Sequence, residues 1–198
     1  MKVVLIAPPA AGKGTQAELI SKYYQIPKIN VGDILRAESQ KTTALGLKLA
    51  EQLKTGELIS DQVVESLLFE KLKNQTGFVL DGYPRNLQQA KKLETLFDEL
   101  PKIIYIYLDE KTAIERMNQR RVCQKCQQVF SNQKECPDCQ QTLSIRLDDN
   151  EKVFQKRYEI FVQETLPILD YWHHAIYQIS GNQLAEQVFA DIKKVLND

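Results

Sequence analysis

Three stretches of the chain, VVLIA (3–7), FVLDG (78–82) and IIYIYLD (103–109), are apolar without polar alternation and rich in β-branched or aromatic residues. Strands buried on both faces of a parallel sheet have this character, because helices cover them above and below. AIYQIS (175–180) and PKIN (27–30) read as two further strands, the second short. Between them, residues 13–24, 31–54, 61–73, 86–99, 111–121, 150–173 and 184–196 carry apolar residues at helical spacing with little Gly or Pro inside, and 31–54 breaks near 39–43. Strands alternating with helices predict an α/β fold, a doubly wound parallel sheet of about five strands with helices on both faces. Right-handed crossovers then bring every strand's carboxyl end to one edge, where ligands bind.

The pattern fails over 122–149, a stretch rich in Gln, Cys and Asp with little helical or strand signal. A loop of that length inside a compact domain is usually functional, and it reads as an inserted lid or knuckle. All four cysteines lie in it, as Cys123-x-x-Cys126 and Cys136-x-x-Cys139, nine residues apart. Two C-x-x-C pairs in so short a window have tetrahedral zinc spacing rather than the scatter of a disulfide framework. With no fifth ligand in the segment, the zinc is expected to be structural, stiffening a lid without a hydrophobic core of its own.

The apolar start MKVVLI is cut off by Pro8 and Pro9 before it reaches the length of a signal-peptide core, which favours a buried first strand. No stretch approaches the roughly 20 apolar residues of a membrane helix, so a soluble cytosolic protein is expected. The 198 residues suggest one core domain with room for an insertion. Lys+Arg and Asp+Glu balance at 26 each, which argues against a long polyanion such as nucleic acid as partner and makes any phosphate chemistry local.

Such chemistry is suggested between the first strand and first helix, where LIAPPAAGKGTQAE (5–18) nearly writes a phosphate-binding loop. Against G-x-x-x-x-G-K-[ST], the first glycine is Ala7, Lys13 is followed by Gly14, and the hydroxyl comes one place late at Thr15. The helix from Lys13 would aim its free N–H groups and dipole at the loop's contents. Lys13 would add a point charge on the β/γ phosphates, and Thr15 a ligand for a phosphate oxygen or a magnesium-bound water. A simpler alternative for the stretch by itself is a tight strand-to-helix turn with an incidental G-K-G-T. An alanine forced to positive φ costs roughly 1 kcal/mol, and Pro8 and Pro9 offset part of that by stiffening the unfolded chain.

Taken with INVGDILR (29–36), DGYPRNLQQA (81–90), RRVC (120–123) and RLDDN (146–150), the loop APPAAGKGTQA resembles the successive motifs of bacterial adenylate kinases with a four-cysteine lid, within the nucleoside monophosphate kinase family. Order and spacing match over nearly the whole chain. The resemblance implies a P-loop core over 1–29, 60–121 and 160–198, a helical monophosphate-binding region over 30–59, and a zinc lid over 122–159 that closes on ATP. It implies that Pro9, Ala10, Ala11, Gly12, Lys13, Gly14, Thr15, Arg116, Arg120 and Gln183 bind ATP. Val31, Arg36, Glu57, Leu58, Ile59, Gly82, Arg85, Gln89, Arg146 and Arg157 would bind AMP, with Gln89 reading adenine. Asp33 and Asp81 would hold magnesium through water, Asp148 and Asp149 are the lid carboxylates, and Lys13, Arg85, Arg120, Arg146 and Arg157 would serve the transfer. The implied activity is reversible, magnesium-dependent phosphoryl transfer from ATP to AMP by a monomer with structural zinc.

A count supports the arginine assignments independently. The chain has only seven arginines among 26 basic residues, and six of them stand at these positions; Arg121 is left over. Bidentate phosphate recognition needs the planar guanidinium fork, whereas mere solvation would mix Arg and Lys at random. Two positions keep a simpler alternative: Asp81 could turn the chain at DGYP, and Asp33 could cap a helix. His173 and His174 read as structural or surface residues, since a phosphate acceptor needs no general base.

Departures concern the base and the lid. Val31 replaces a small hydroxyl, Asn86 is shared with UMP/CMP kinases while Gln89 points to AMP, Gln183 stands where many relatives have lysine, and the lid is short between its cysteine pairs. Two alternatives therefore stay open, a kinase for UMP or CMP and a nucleotide-binding regulatory protein with an impaired loop. Against the second, the charged transfer residues survive. A zinc-ribbon nucleic-acid module is set aside, because QKCQQVFSNQKECPDCQQ lacks clustered basic and aromatic residues.

Overall fold

A computed structural model describes residues 1–55, 59–146 and 149–197. Five parallel strands form one sheet in the order β2-β3-β1-β4-β7. They are β1 (Lys2–Ile6), β2 (Lys28–Asn30), β3 (Phe78–Asp81), β4 (Lys102–Tyr107) and β7 (Ile176–Ser180). Within each central strand, successive side chains enter opposite cores: Val4, Ile6, Phe78, Leu80 and Ile103 one of them, Val3, Leu5, Val79, Ile104 and Ile106 the other. This double burial is why those runs lack polar alternation.

Helices α1 (Lys13–Tyr24), α6 (Glu110–Gln119) and α9 (Ala185–Asn197) supply the second core, through Ala17, Ile20, Ala113, Met117, Val188 and Ile192. The first is closed by α2 (Val31–Ser39), α3 (Ala44–Thr55), α4 (Asp61–Leu72), α5 (Leu87–Glu94) and α8 (Leu166–Tyr171). The break expected near 39–43 is the α2–α3 junction. Helix starts are set by side chains: Asn30, Asn86, Asp109 and Asn150 each accept the backbone N–H three residues on.

Three expectations differ from the fold. The helix expected over 86–99 stops at Glu94, where the Thr95 N–H turns back to Lys92 and Leu93 carbonyls in a tightened last turn. The helix expected over 150–173 is α7 (Glu151–Ile160), a π-helical turn Phe161–Thr165, and then α8. Pro167 is the physical reason, since it donates no N–H and the wider turn absorbs the mismatch. The segment read as pattern-free contains a small antiparallel pair, β5 (Arg120–Val122) with β6 (Val129–Ser131), too short to leave a periodic signal.

Trp172 ends α8 fully buried, and its indole N–H donates to Glu94 Oε1 at 2.6 Å while Tyr171 donates to Glu94 Oε2 at 2.7 Å. Two donors thus fasten α8 to the end of α5. Trp172→Ala should cost about 3–5 kcal/mol, from the cavity and from the lost bond. Urea unfolding followed by circular dichroism measures this, and a cost under 1 kcal/mol would deny that this staple matters.

Candidate functional site

The sheet's carboxyl edge opens into a cleft of about 210 Å³. Its floor is the loop between β1 and α1. Ala10 takes φ 62° and Gly12 φ 85°, whereas Ala7 has no positive φ and is buried in the core. The replacement of the first glycine by Ala7 is therefore without backbone strain, and the strain sits at Ala10 alone. No side chain caps α1, whose first-turn N–H groups remain available at the loop. Gly14 lies close to β3, for a Cβ there would stand 3.7 Å from Asp81 Oδ2.

Asp81 ends β3 and is 3 % exposed. The register sets it beside Asn30 of β2 and Leu5 of β1. Its Oδ1 lies 3.7 Å from Lys13 Nζ, and its Oδ2 accepts from Asn30 Nδ2 at 2.5 Å. Lys13 also donates to the Ala7 carbonyl at 3.3 Å. Burial in the cleft pushes the Lys13 ammonium below its ordinary pKa and Asp81 pushes it up, while Arg85 and Arg157 add to the lowering.

Arg85 follows the bend at Gly82 (φ 89°), and its Nε donates to the Gly82 carbonyl at 2.9 Å. A side chain at Gly82 would meet Arg85 Nη2 at 3.3 Å. Desolvation by the cleft, then Arg157, lower the Arg85 pKa to about 10, Asp81 opposing and Arg36 adding to the effect. The guanidinium remains charged at neutral pH. Lys13, Arg36, Arg85 and Arg157 thus converge on one cleft, which Val31, Ile59, Gln89 and Pro9 also line. Arg36 pairs with Asp33 at 2.5 Å across one helical turn. Asp33 is exposed at the start of α2, where its N–H is capped by Asn30, and it is absent from the cleft wall.

A second group gathers beyond α1. Arg116 donates to the carbonyls of Gly181 at 2.7 Å and Gln183 at 3.3 Å, which ties α6 to the loop after β7. The Gln183 side chain is turned away, to Ser180 O and Asp191. Arg120 makes a bidentate ion pair with the buried carboxylate of Asp149. Arg121 bonds backbone carbonyls at Asn118 and Arg120, as suits a residue outside the site. Arg146 and Arg157 are both engaged in contacts. Ala11 is buried in the core, and Thr15 is exposed at the start of α1. Glu57, Leu58 and Asp148 lie outside the described residues. His173 and His174 are exposed, away from the cleft.

Sequence reasoning missed Asp61, Glu164 and Thr165 in the wall. Asp61 looks like an ordinary acid of a helix's first turn, although a helix starting at the sheet's carboxyl edge was a signal to examine it. Thr165 donates to the Arg85 carbonyl at 2.7 Å, a contact set by the π-helical turn and invisible in a 3.6-residue period.

In the lid, the Sγ atoms of Cys123, Cys126, Cys136 and Cys139 all lie within 4.8 Å of one another, with Cys126 and Cys136 3.7 Å apart. Thiolates at about 2.3 Å from a tetrahedral zinc would stand roughly 3.8 Å from each other, so the donor set fits that ion. Each pair folds alike: Gln127 N–H donates to Cys123 O and Gln140 N–H to Cys136 O, both at 2.8 Å, with Gln127 and Gln140 at φ 60° and 54°. Backbone N–H groups, Cys126 first, hold the Cys123 thiol down to about 7, while burial pushes Cys139 up to about 12. Among the described residues, the cluster around the cysteines buries Leu143 besides Cys123 and Cys136, with Phe130 packed against it.

Comparison with known proteins adds the context. A profile described as adenylate kinase matches residues 5–177. The chain is 35 % identical to the adenylate kinase of Fervidobacterium nodosum, covering 99 % of this chain and 97 % of that one. Similarity to the adenylate kinase of a Geobacillus species is 37 % over 99 % and 98 %, and to that of Archaeoglobus fulgidus 35 % over 99 % and 98 %.

Because the loop's strain is confined to Ala10, Ala10→Gly should leave stability unchanged or raise it by up to about 1 kcal/mol, the relief of positive φ being partly offset by glycine's freedom in the unfolded chain. Thermal unfolding checks the sign, and a loss above 1 kcal/mol would show that the Ala10 methyl makes a contact worth more than its strain.

Proposed function

The chain belongs to the adenylate kinase family, and from that premise we propose how its cleft carries out reversible phosphoryl transfer from ATP to AMP. The observation that carries the reading is the convergence of Lys13, Arg36, Arg85 and Arg157 on one cleft, with the buried carboxylate of Asp81 3.7 Å from Lys13. Four cations in one cleft are a poor way to build a core and a good way to hold a triphosphate and a monophosphate end to end.

ATP binds with its β and γ phosphates on the loop Pro9–Thr15, where the free N–H groups of α1 and Lys13 receive them. The adenine of ATP lies by Arg116 and the backbone of Gln183, Arg120 reaches the triphosphate from the lid's base, and Arg146 serves the transfer from the AMP side. The AMP phosphate sits among Arg36, Arg85 and Arg157, with its base towards Val31, Ile59, Gly82 and Gln89 and, outside the described residues, Glu57 and Leu58. An AMP phosphate oxygen attacks the γ phosphorus, the bond from that phosphorus to the β–γ bridging oxygen breaks, and both products are ADP. The attacking oxygen is already ionised, so no residue takes a proton, and the arginines act by alignment and charge. Asp81, with Asp33 and the Thr15 hydroxyl, would hold magnesium through water; when bound, that ion neutralises charge on the β and γ oxygens.

The four cysteines are proposed to hold one structural zinc in the lid, 122–159, which closes over ATP while 30–59 closes over AMP around the core of 1–29, 60–121 and 160–198. Each site draws on one chain only, in keeping with a monomer. Among the described residues no helix is long and apolar enough to cross a membrane. The cytoplasm is the proposed setting, because reduced thiols are needed at the metal.

Assayed against AMP, UMP, CMP and GMP with ATP and magnesium, the protein should turn over AMP best, with Lys13→Met as blank; preference for UMP or CMP would make Val31 the deciding residue, and ATP binding without any turnover would restore the regulatory reading. Arg85→Ala should lower kcat at least about a hundredfold while leaving ATP affinity nearly unchanged. Equal loss of ATP binding would contradict its place on the AMP side. Chelation of the metal should release one zinc per chain and lower the melting temperature, since the lid buries little else. An unchanged melting temperature after proven removal would overturn the structural role.

A further inference from the structure

Gln89 is 3 % exposed in the cleft wall, and the protein grips its amide at both ends. Oε1 accepts from the Arg85 backbone N–H at 2.7 Å, and Nε2 donates to Asp61 Oδ1 at 2.6 Å. The other carboxylate oxygen of Asp61 accepts from Asn86 Nδ2 at 2.9 Å, and Asn86 Oδ1 accepts from the Gln89 backbone N–H at 2.8 Å. The polarity of this ring follows from its partners: a backbone N–H can only donate, and a carboxylate can only accept. Turned over, the amide would set Nε2 against an N–H and Oε1 against a carboxylate.

One N–H and one oxygen lone pair of the amide are left for a ligand. Their positions in the cleft are fixed, with the acceptor on the Arg85 side and the donor on the Asp61 side. Resting on the adenylate kinase reading above, we propose that Asp61 is a positioning residue that locks the Gln89 amide in one orientation and thereby selects a 6-aminopurine over a 6-oxopurine in the acceptor nucleotide. The edge of a 6-aminopurine offers an N–H at position 6 and a bare nitrogen at position 1, which the locked amide meets acceptor to donor and donor to acceptor. A 6-oxopurine reverses both, so with its phosphate on the same arginines it meets like with like. Turning the amide to suit it is blocked by Asp61. The lock also gives Asn86 its place, as cap of α5 and as the second donor that holds the carboxylate in line.

Asp61→Asn tests the lock with little change of shape. Asn86 Nδ2 would still seek an oxygen at position 61, which leaves an amide NH₂ facing Gln89; one orientation then sets Nε2 against that NH₂ and the other sets it against the Arg85 N–H, so the preference for a single orientation is lost. AMP and IMP, which differ at position 6 and in the hydrogen on position 1, are compared as acceptors on the same preparations, so that any unfolded fraction cancels in the ratio. Wild-type protein should prefer AMP by more than about tenfold in kcat/KM, and the IMP-to-AMP ratio should rise at least about tenfold in Asp61→Asn. For AMP the loss should fall on KM and leave kcat nearly unchanged, since the phosphate-binding arginines are untouched. An unchanged ratio in a folded variant overturns the proposal, as does wild-type use of IMP on a par with AMP, a result independent of whether the variant folds. Wild-type protein inert towards AMP would overturn the functional reading itself, which is a distinguishable result.

Discussion

Burial of like charges is the constraint around which this molecule is arranged: Lys13 and Arg85 are desolvated in the cleft, and Arg157 repels both. Like charges gathered in a cleft lower one another's proton affinity and cost stability in the absence of an anion, so the scaffold beneath them has to be rigid. Asp81 is the fixed counter-charge beside Lys13, and its own position is overdetermined: it ends a strand buried along its whole length, registers against Asn30 and Leu5, and is bonded by the Asn30 amide. A parallel sheet suits this purpose, because its strands all end on one edge and each delivers its next residue to the same place.

That arrangement explains which parts of the site were legible in the sequence. Lys13 and Asp81 are announced by their position, Asp81 at the end of an apolar run that reads as a buried strand and Lys13 at the start of the helix that follows another. The arginines are announced by rarity, since a lysine-rich chain that spends arginine sparingly does so where a planar fork is needed. The two cysteine pairs were legible because metal geometry demands their spacing. In these cases one local feature suffices, and sheet topology carries it to the right edge.

What stayed hidden depends on contacts between elements. Asp61 reads as a helix-start acid until α4 is seen to begin opposite Asn86 and Gln89, 25 and 28 residues away in the chain. Thr165 reaches the Arg85 carbonyl from the end of the π-helical turn that precedes Pro167, a turn that a 3.6-residue period does not show. The position of the loop's strain was hidden as well: the pattern comparison flags Ala7, but Ala7 follows β1 without a positive φ, and of the loop's alanines only Ala10 takes one. Sequence patterns report residue types at positions, whereas φ is decided by how the loop closes on the helix that follows.

The lid obeys a different economy, since Leu143 and the cysteines are nearly all the core it has. Its attachment therefore matters as much as its interior. Arg120 stands where α6 passes into β5, and Asp149 one residue before the Asn150 cap of α7, so their ion pair clamps the strands of chain that enter and leave the lid. A pair buried on its acidic side contributes little net stability, but breaking it strands a carboxylate without solvent, at a cost of about 3–5 kcal/mol. Asp149 takes the Nε and Nη2 edge of the guanidinium. Among the described residues this leaves three of its five donors, so the clamp at the lid's base and the proposed binding of a triphosphate need not compete for the same atoms.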